Sequence, residues 1–488
     1  MGPTVTTANG TVEGTTERGM QVFRGIPYAA PPEGELRFAA PAPREPWSGV
    51  RPAYVFGAAP PQTAMVPGEP TPWEPEDGLD CLTANVWTPD LGAADMPVMV
   101  WIYGGAWRFG RSATPMYDGT KLARAGVVVV TFNYRVGFEG LGHVPGMPEN
   151  RALLDQIAAL EWVRDNIAAF GGDPDQVTVF GESAGATSVA SLLATPRTEG
   201  LFRRAIAQSV AGRALPLGDA HRVTGLIADA AGVPATLEGL RSLPPERITA
   251  LHDVPLAAMA ADPEGWSMLD NVTCFAPVLD GELVTDTPWS VLRTGARRDV
   301  DLMAGYTTDE YNLFAIQREV PADLGAVAKR MGLDEGALAA YRAADPGLDD
   351  RGLYTLLFSD LVFRMPSVWV AEAHATAGGR AFLYEFAWRT PAFGGALGAP
   401  HAVDVPFTFG VTEGPFAEMV LGSPPPEEVE ELSAQVRAAW TGFAANGDPG
   451  WPAFTPVGGK TRMWDLPPRV ESDPQRISRE IWRPLSGI

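Results

Sequence analysis

"VTVFGESAGATSVA", residues 177–190, contains the most informative local pattern of the chain. It opens with the β-branched and apolar run 177–180, which predicts a short buried strand. Ser183 follows in a Gly-x-Ser-x-Gly pattern, and apolar residues then recur at helical spacing until Pro196. Strand, pattern and helix in this order are the context of a nucleophile elbow, so Ser183 is a predicted nucleophile. The alternative is a tight glycine turn whose serine caps the next helix.

The rest of the chain alternates strands with helices, which predicts an α/β fold: a mainly parallel sheet with helices on both faces. The stretch 215–295 is mostly helical in pattern, and we expect it to be an insertion over the active site of a single domain. A last helix is predicted from Pro424 to Asn446, with Ser423 as N-cap and Gly447 after its end. A helix is also predicted around 153–163, and strands at 98–103, 127–132, 205–209, 300–304 and 381–386.

Composition and charge exclude several classes of partner. The chain has 488 residues, 45% hydrophobic and 20% charged, as in an ordinary soluble globular protein. Its net charge of −22 repels phosphate backbones and anionic membranes, so neither nucleic acid nor membrane is an expected partner. No apolar stretch is long enough to span a bilayer, and no secretory signal is evident. The oligomeric state stays open, and a monomer is compatible with the sequence.

The cysteines and histidines argue against a disulfide framework and a metal centre. Two cysteines, Cys81 and Cys274, are too few for such a framework in a chain this long, which favours reduced thiols and a cytoplasmic location. The five histidines are scattered without a Cys/His cluster, so no zinc site is expected.

A nucleophilic serine needs a histidine base oriented by a carboxylate, in the chain order serine, acid, histidine on this fold. His401 is the predicted base because it lies in a loop after the strand 381–386. His374 lies in a helical run, where a structural role is expected. The order rule disfavours the remaining histidines, which are His143, His221 and His252.

The acid and the oxyanion donors follow two other predicted strands. Asp309 and Glu310 come after the strand 300–304, and either carboxylate could serve; the alternative is that both are solvated loop acids. The strand 98–103 ends in "YGGAW" (103–107), whose small residues would let backbone N–H groups face a substrate oxygen. Taken alone, that motif would be an ordinary glycine turn.

Longer motifs make the sequence resemble the type-B carboxylesterase/cholinesterase family of α/β-hydrolases, especially its bacterial, para-nitrobenzyl esterase-like members. The resemblance covers nearly the whole chain. Its motifs are "VFRGIPYAAPPEGELRF" (22–38), "DCLTANVWTPD" (80–90), "VWIYGGAWRFG" (100–110), "FNYRVGFEGLG" (132–142), "FAPVLDGEL" (275–283), "AGYTTDE" (304–310) and "LGAPHAVDVPFTFG" (397–410).

The resemblance implies a serine esterase without cofactor or metal, with Ser183 as nucleophile, Glu310 as acid and His401 as base. It also implies an oxyanion hole supported by Gly104, with donors Gly105, Ala106 and Ala184. The chain departs from the family at three points. Tyr103 leads the glycine-rich loop, Tyr311 stands where glycine is usual, and the usual disulfide partner of Cys81 is replaced by proline.

These features predict a carboxylic-ester hydrolase that forms an acyl-enzyme on small uncharged, aryl or short-chain esters. Aromatic side chains near the predicted catalytic groups suggest an apolar pocket, although some of the rings are expected to be plain core. The rival activities are carbamate or aryl-amide hydrolysis by the same residues, and a non-catalytic cholinesterase-like binding protein. The predicted pocket residues are Trp107, Phe109, Phe314 and Phe407.

Overall fold

A computed structural model describes residues 2–65, 68–266, 272–316 and 318–487. By their contacts the residues divide into two compact units. The first unit comprises Met1–Ser188, Arg197–Arg203 and Arg213–Asp286, and the second comprises Val189–Pro196, Arg204–Gly212 and Thr287–Ile488.

The strands of the described residues are β1 Thr4–Thr7, β2 Gly10–Glu13, β3 Thr15–Glu17, β4 Met20–Pro27, β5 Val50–Pro52, β6 Thr83–Thr88, β7 Met96–Ile102, β8 Val128–Phe132, β9 Gly172–Glu182, β10 Arg204–Gln208, β11 Leu215–Pro216, β12 Val278–Leu279, β13 Asp301–Thr307, β14 Ala381–Phe386, β15 Lys460–Trp464 and β16 Arg469–Ser472. The helices are α1 Thr120–Ala123, α2 Gly137–Leu141, α3 Arg151–Asn166, α4 Ala184–Ala194, α5 Leu217–Ala231, α6 Leu237–Arg241, α7 Pro245–Thr249, α8 Asp253–Ala261, α9 Pro288–Leu292, α10 Asn312–Ala315, α11 Leu324–Arg330, α12 Glu335–Ala344, α13 Asp350–Ser359, α14 Met365–Thr376, α15 Asp404–Phe409, α16 Pro415–Leu421, α17 Glu428–Asn446 and α18 Arg476–Ser486.

The first unit is built on β7, which pairs in parallel with β8 on one side and β9 on the other. From β8 the sheet continues through antiparallel pairs to β6, β4 and β3. Every residue of β8 and the last five of β7 are buried, as expected for parallel strands covered on both faces. The loops that follow β7 and β9 therefore start from buried, apolar strand ends.

The second unit repeats this plan with different strands. β13 pairs in parallel with β10 and β14, and β14 pairs in parallel with β15. The antiparallel strand β16 lies next to β15. Because the parallel strands share one direction, the segments that follow β10, β13 and β14 emerge at the same edge.

All the strands predicted from apolar runs are present, and the helix predicted around 153–163 is α3. The last helix ends as predicted, with Gly447 at φ +75° donating its N–H to the Phe443 carbonyl. The prediction of Ser423 as its N-cap was wrong, because the N-cap is Glu427. A proline disfavours the helical conformation in the residue before it. The proline run 424–426 therefore prevents the helix from beginning before Glu428.

The predicted insertion is helical in α5 to α8, while residues 267–271 lie outside the described part of the chain. Its place over the active site stays a prediction. Cys81 and Cys274 are both buried free thiols. Among the described residues, no helix has the length and apolar character needed to cross a membrane.

Candidate active site

Ser183 lies in a strained turn between β9 and α4. Its backbone has φ +58°, a left-handed conformation that is uncommon for a residue with a side chain. The flanking glycines allow this turn because no side chain fits there. A Cβ on Gly185 would lie 2.0 Å from the Ile102 carbonyl oxygen, and one on Gly181 would lie 2.7 Å from the Gly185 carbonyl group. The turn therefore has the geometry of a nucleophile elbow, with Ser183 partly exposed.

The glycine-rich loop after β7 runs directly against this serine. A Cβ on Gly104 would lie 3.0 Å from the Ser183 Cβ and 2.7 Å from the Glu182 carbonyl oxygen. Gly105, at φ +113°, has a carbonyl that accepts hydrogen bonds from the N–H groups of two residues further along the loop, each at 3.0 Å. The first unit thus brings the predicted oxyanion loop and the predicted nucleophile together. The two donors to the Gly105 carbonyl are Arg108 and Phe109.

In the second unit, Glu310 and His401 form a buried pair. The Glu310 Oε2 atom lies 2.6 Å from His401 Nδ1, and both side chains are almost entirely buried. The other carboxylate oxygen, Oε1, accepts hydrogen bonds from the Ser209 hydroxyl at 2.6 Å and from the Thr307 N–H at 2.8 Å. Because Nδ1 is held by the carboxylate, proton exchange by the imidazole would use Nε2.

Asp309 has a different role from its neighbour. Its Oδ2 atom accepts from the Ala399 N–H at 2.8 Å and from Arg389 at 2.9 Å, and its own N–H donates to the Ala399 carbonyl. Asp309 therefore ties down the loop that precedes His401, while Glu310 contacts the imidazole itself. Tyr311 replaces the family's usual glycine without strain, because its φ of −87° suits any residue.

Two phenylalanine rings pack at a tilt against the His401 ring. The Phe363 ring centroid is 4.1 Å from that of His401, and the Phe314 centroid is 5.3 Å away. Phe363 lies in a π-helical turn, Asp360–Arg364, immediately before α14. π-Helical turns occur frequently at functional sites. Of the predicted pocket residues, Phe314 thus contacts a predicted catalytic group.

The other predicted pocket rings differ in their surroundings. Phe109 is partly exposed and lies under the Arg108 guanidinium at 4.9 Å. Trp107 is buried, with 1% of its surface exposed. Phe407 is fully buried against Phe386 and Trp388, contacts that indicate a packing role.

Comparison with known proteins gives the family. The model of the carboxylesterase family matches residues 1–345 and 344–467. The chain belongs to the carboxylesterase family. It is 37% identical over 504 residues to the para-nitrobenzyl esterase of Bacillus subtilis (strain 168), with 99% of each chain covered. It is 35% identical over 477 residues to the phenmedipham hydrolase of Pseudarthrobacter oxydans, with 93% of each covered.

Solved structures agree with this assignment. A PNB esterase structure matches 98% of this chain and 99% of its own, with a TM-score of 0.84 and 35% identity. The carboxylesterase accordingly has the α/β-hydrolase fold and is a carboxylic-ester hydrolase acting on small molecules, as the sequence predicted.

Sequence reasoning missed two side chains of this carboxylesterase that contact the Glu310–His401 pair. Ser209, which donates to Glu310, directly follows β10 at φ +59°, and only its place at the end of a predicted strand could have drawn attention to it. Phe363 packs against the His401 ring from a helical segment that carries no local signal of function. Both contacts depend on chain segments that are distant in sequence.

A third missed side chain is Asp404, a buried carboxyl three residues after His401. Its Oδ2 atom accepts from the Tyr384 hydroxyl at 2.9 Å and from Gln208 Nε2 at 3.0 Å. Burial raises the pKa of Asp404 to about 6, although the bonds from Gln208 and Tyr384 oppose the shift. The nearby Glu310 charge raises this pKa further, whereas His401 lowers it.

This raised pKa makes stability depend on pH. The folded protein holds the Asp404 proton more tightly than the unfolded chain, whose pKa is near the ordinary 3.8. The stabilisation is therefore full below that value and is lost as pH rises through about 6. Between about pH 5 and pH 8 the wild type should lose about 1 kcal/mol of unfolding free energy that Asp404→Asn does not lose. Urea unfolding followed by tryptophan fluorescence measures the unfolding free energy of the wild type and of Asp404→Asn at each pH. Parallel pH profiles of the two proteins would contradict the prediction.

Proposed function

We propose that this carboxylesterase hydrolyses small uncharged esters through an acyl-enzyme on Ser183, with His401 as base and Glu310 as acid. The observation that carries the proposal is the left-handed Ser183 backbone directly against the Gly104 loop. Strain of this kind persists where the surrounding structure enforces it, and it is concentrated at active sites. The buried Glu310–His401 pair supplies the other half of a serine hydrolase triad.

The proposed reaction begins when Ser183 Oγ attacks the ester carbonyl carbon and transfers its proton to His401 Nε2. The Glu310 carboxylate stabilises the imidazolium through Nδ1. The oxyanion is stabilised by the N–H groups of Gly105 and Ala106 and by that of Ala184 at the start of α4. His401 then protonates the leaving alcohol, and a water molecule activated by the same imidazole releases the acid. The mechanism requires the Ser183 hydroxyl to reach Nε2.

We also propose that the substrate is an aryl or short-chain ester. Phe109 is partly exposed beside the oxyanion loop, and Phe314 lies beside the His401 ring, so apolar aromatic surface adjoins both sets of catalytic groups. The similarity to a para-nitrobenzyl esterase supports the same class. A second candidate is carbamate or aryl-amide hydrolysis by the same residues, and the similarity to a phenmedipham hydrolase favours the carbamate.

The proposal also includes the domain organisation of the chain and its cellular location. The chain would form a single α/β-hydrolase domain, which is supported by the match of one family across residues 1–345 and 344–467. It would act in the cytoplasm, and the two buried free thiols support that location, because extracellular proteins favour disulfides.

Ser183→Ala should keep the fold and lose about 10⁶-fold in kcat, because the reaction has no other nucleophile. A fluorophosphonate probe should label the wild type at one serine, which peptide mass spectrometry would identify as Ser183. Ser48, an exposed serine of the same unit, provides the control: Ser48→Ala should retain both activity and labelling. An active, labelled Ser183→Ala variant would disprove the mechanism.

Glu310→Gln should lower kcat by about 10⁴-fold, since the imidazolium loses its anionic partner while the shape is kept. Asp309→Asn is the matched variant. Its amide oxygen can still accept from the Ala399 N–H, and the lost ion pair with the exposed Arg389 contributes little, so kcat should fall only a few-fold. Kinetics on one activated aryl ester compare the two. If Asp309→Asn were the more damaging change, Asp309 would be the triad acid.

A substrate series should show the highest kcat/KM on short-chain aryl esters and much lower values on emulsified long-chain triglycerides. The reason is that aromatic rings favour compact apolar groups. The series should include an aryl carbamate and an anilide matched to the best ester. Higher kcat/KM on the carbamate would favour the second candidate, and a preference for long-chain fat would refute both.

A further inference from the structure

The proposed oxyanion loop contains two consecutive non-glycine residues with left-handed backbone. Ala106 has φ +55° and Trp107 has φ +54°. Side chains rarely tolerate this conformation, and two such residues in a row are rarer still. The loop would relax to another conformation unless contacts from outside it held both residues in place.

Those contacts hold the carbonyl groups of both strained residues. The Thr273 hydroxyl donates to the Ala106 carbonyl oxygen at 2.8 Å, and the Gly137 N–H donates to the Trp107 carbonyl oxygen at 2.5 Å. The two peptide groups that directly follow the one carrying the Ala106 N–H are thereby fixed from the side of their oxygens. The C-terminal end of the loop is held separately, since the Gln62 amide bonds both the N–H and the carbonyl of Gly110.

Thr273 is well suited to this role because it is fully buried and its hydroxyl is oriented. The Phe275 N–H donates to Thr273 Oγ1 at 3.1 Å, which leaves the hydroxyl proton for a carbonyl. Two carbonyl oxygens are within reach, and that of Ala106, at 2.8 Å, is closer than that of Phe275, at 3.2 Å. The main bond therefore runs to the oxyanion loop, across 167 positions of sequence.

The two contacts that hold the loop are also joined to each other. The Phe275 ring packs edge-on against His252, with centroids 4.8 Å apart. His252 Nε2 accepts from the Phe138 N–H, and Phe138 directly follows Gly137. Burial lowers the pKa of His252 to about 3, so at neutral pH the ring is uncharged and Nε2 stays an acceptor. Thr273 and Gly137 thus belong to one buried assembly behind the loop.

We propose that Thr273 is a positioning residue for ester hydrolysis: its hydroxyl fixes the Ala106 carbonyl and so holds the left-handed turn that presents the Gly105 and Ala106 N–H groups to the tetrahedral intermediate. This inference rests on the proposed function of Ser183 and its oxyanion loop. Oxyanion donors act mainly in the transition state, so loosening them lowers kcat more than it changes KM.

The experiment compares variants that differ by one hydroxyl. Thr273→Val keeps the shape and removes the donor; Thr273→Ser keeps the donor. On an activated aryl ester, Thr273→Val should lose about 10- to 100-fold in kcat, with KM within about two-fold of wild type. Its affinity for a trifluoromethyl ketone, which forms a tetrahedral adduct with serine, should fall by a similar factor. Thr273→Ser should restore kcat to within about three-fold of wild type.

Thr224→Val is the matched control. Thr224, on α5, is buried, and its hydroxyl donates to the His143 carbonyl at 2.8 Å, so the variant loses an equivalent long-range bond. Thr224→Val should lower the free energy of urea unfolding by about as much as Thr273→Val does, while it keeps the wild-type kcat. If Thr273→Val does not fold, the kcat of Thr273→Ala is compared with that of Thr273→Ser, since these two variants also differ in the hydroxyl.

The outcomes separate this inference from the proposed function. Two results would overturn the role of Thr273: a wild-type kcat in the variants without the hydroxyl, or equal losses of kcat in Thr273→Val and Thr224→Val. The proposed function would still stand in either case if Ser183→Ala were inactive. An active Ser183→Ala variant would overturn both. A kcat loss confined to the Thr273 variants without a hydroxyl, with rescue by serine, would support the positioning role.

Discussion

The close approach of two backbones behind Ser183 is the constraint on which the proposed active site depends. Gly185 lies so near the Ile102 carbonyl that a single added carbon would be 2.0 Å from its oxygen. This contact joins the start of α4 to the end of β7, so the Ser183 turn and the proposed oxyanion loop begin from one fixed point. A left-handed serine would otherwise relax, because its conformation is unfavourable without such enforcement. The buried parallel strands supply the rigidity.

In the second unit, the main constraint is the burial of the Glu310 carboxylate. An ionised carboxylate without partners is very unfavourable in a protein interior. Glu310 avoids this with both oxygens: Oε2 meets His401 and Oε1 accepts from Ser209 and Thr307. The same bonds fix the direction in which the imidazole faces, so the contacts that make burial tolerable also orient the proposed base. Asp309 adds a second restraint by holding the backbone just before His401.

Much of this could be predicted from the sequence, and the successes share a cause. Buried strands appear as apolar runs, so the strands that precede the candidate residues were predicted correctly. Local pattern and chain order proposed Ser183, His401 and the pair Asp309 and Glu310 as candidates. The strands β1 to β6 were not predicted, because most are short and polar residues interrupt their apolar pattern. Ser209 and Phe363 could not be predicted, because their roles depend on contacts across long stretches of chain. Spacing likewise does not distinguish Asp309 from Glu310, whose different surroundings become visible only in the hydrogen bonds that each side chain makes.

Backbone strain leaves no recognisable pattern in the sequence. In this structure, several strained residues lie at or next to the proposed catalytic groups. Left-handed non-glycine residues include Ser183 itself, Ala106 and Trp107 in the oxyanion loop, Ser209 against Glu310, and Ala402 just after His401. At about 1–2 kcal/mol each, these residues together cost on the order of 5–10 kcal/mol, comparable with the whole net stability of a typical domain. Contacts elsewhere must offset that cost, and the ends of β7, β9 and β10, which lead into these turns, are buried. Because alanine, serine and tryptophan give no sign of left-handed backbone, a candidate active site of this kind can be proposed from sequence, whereas the strain in its backbone becomes visible only in three dimensions.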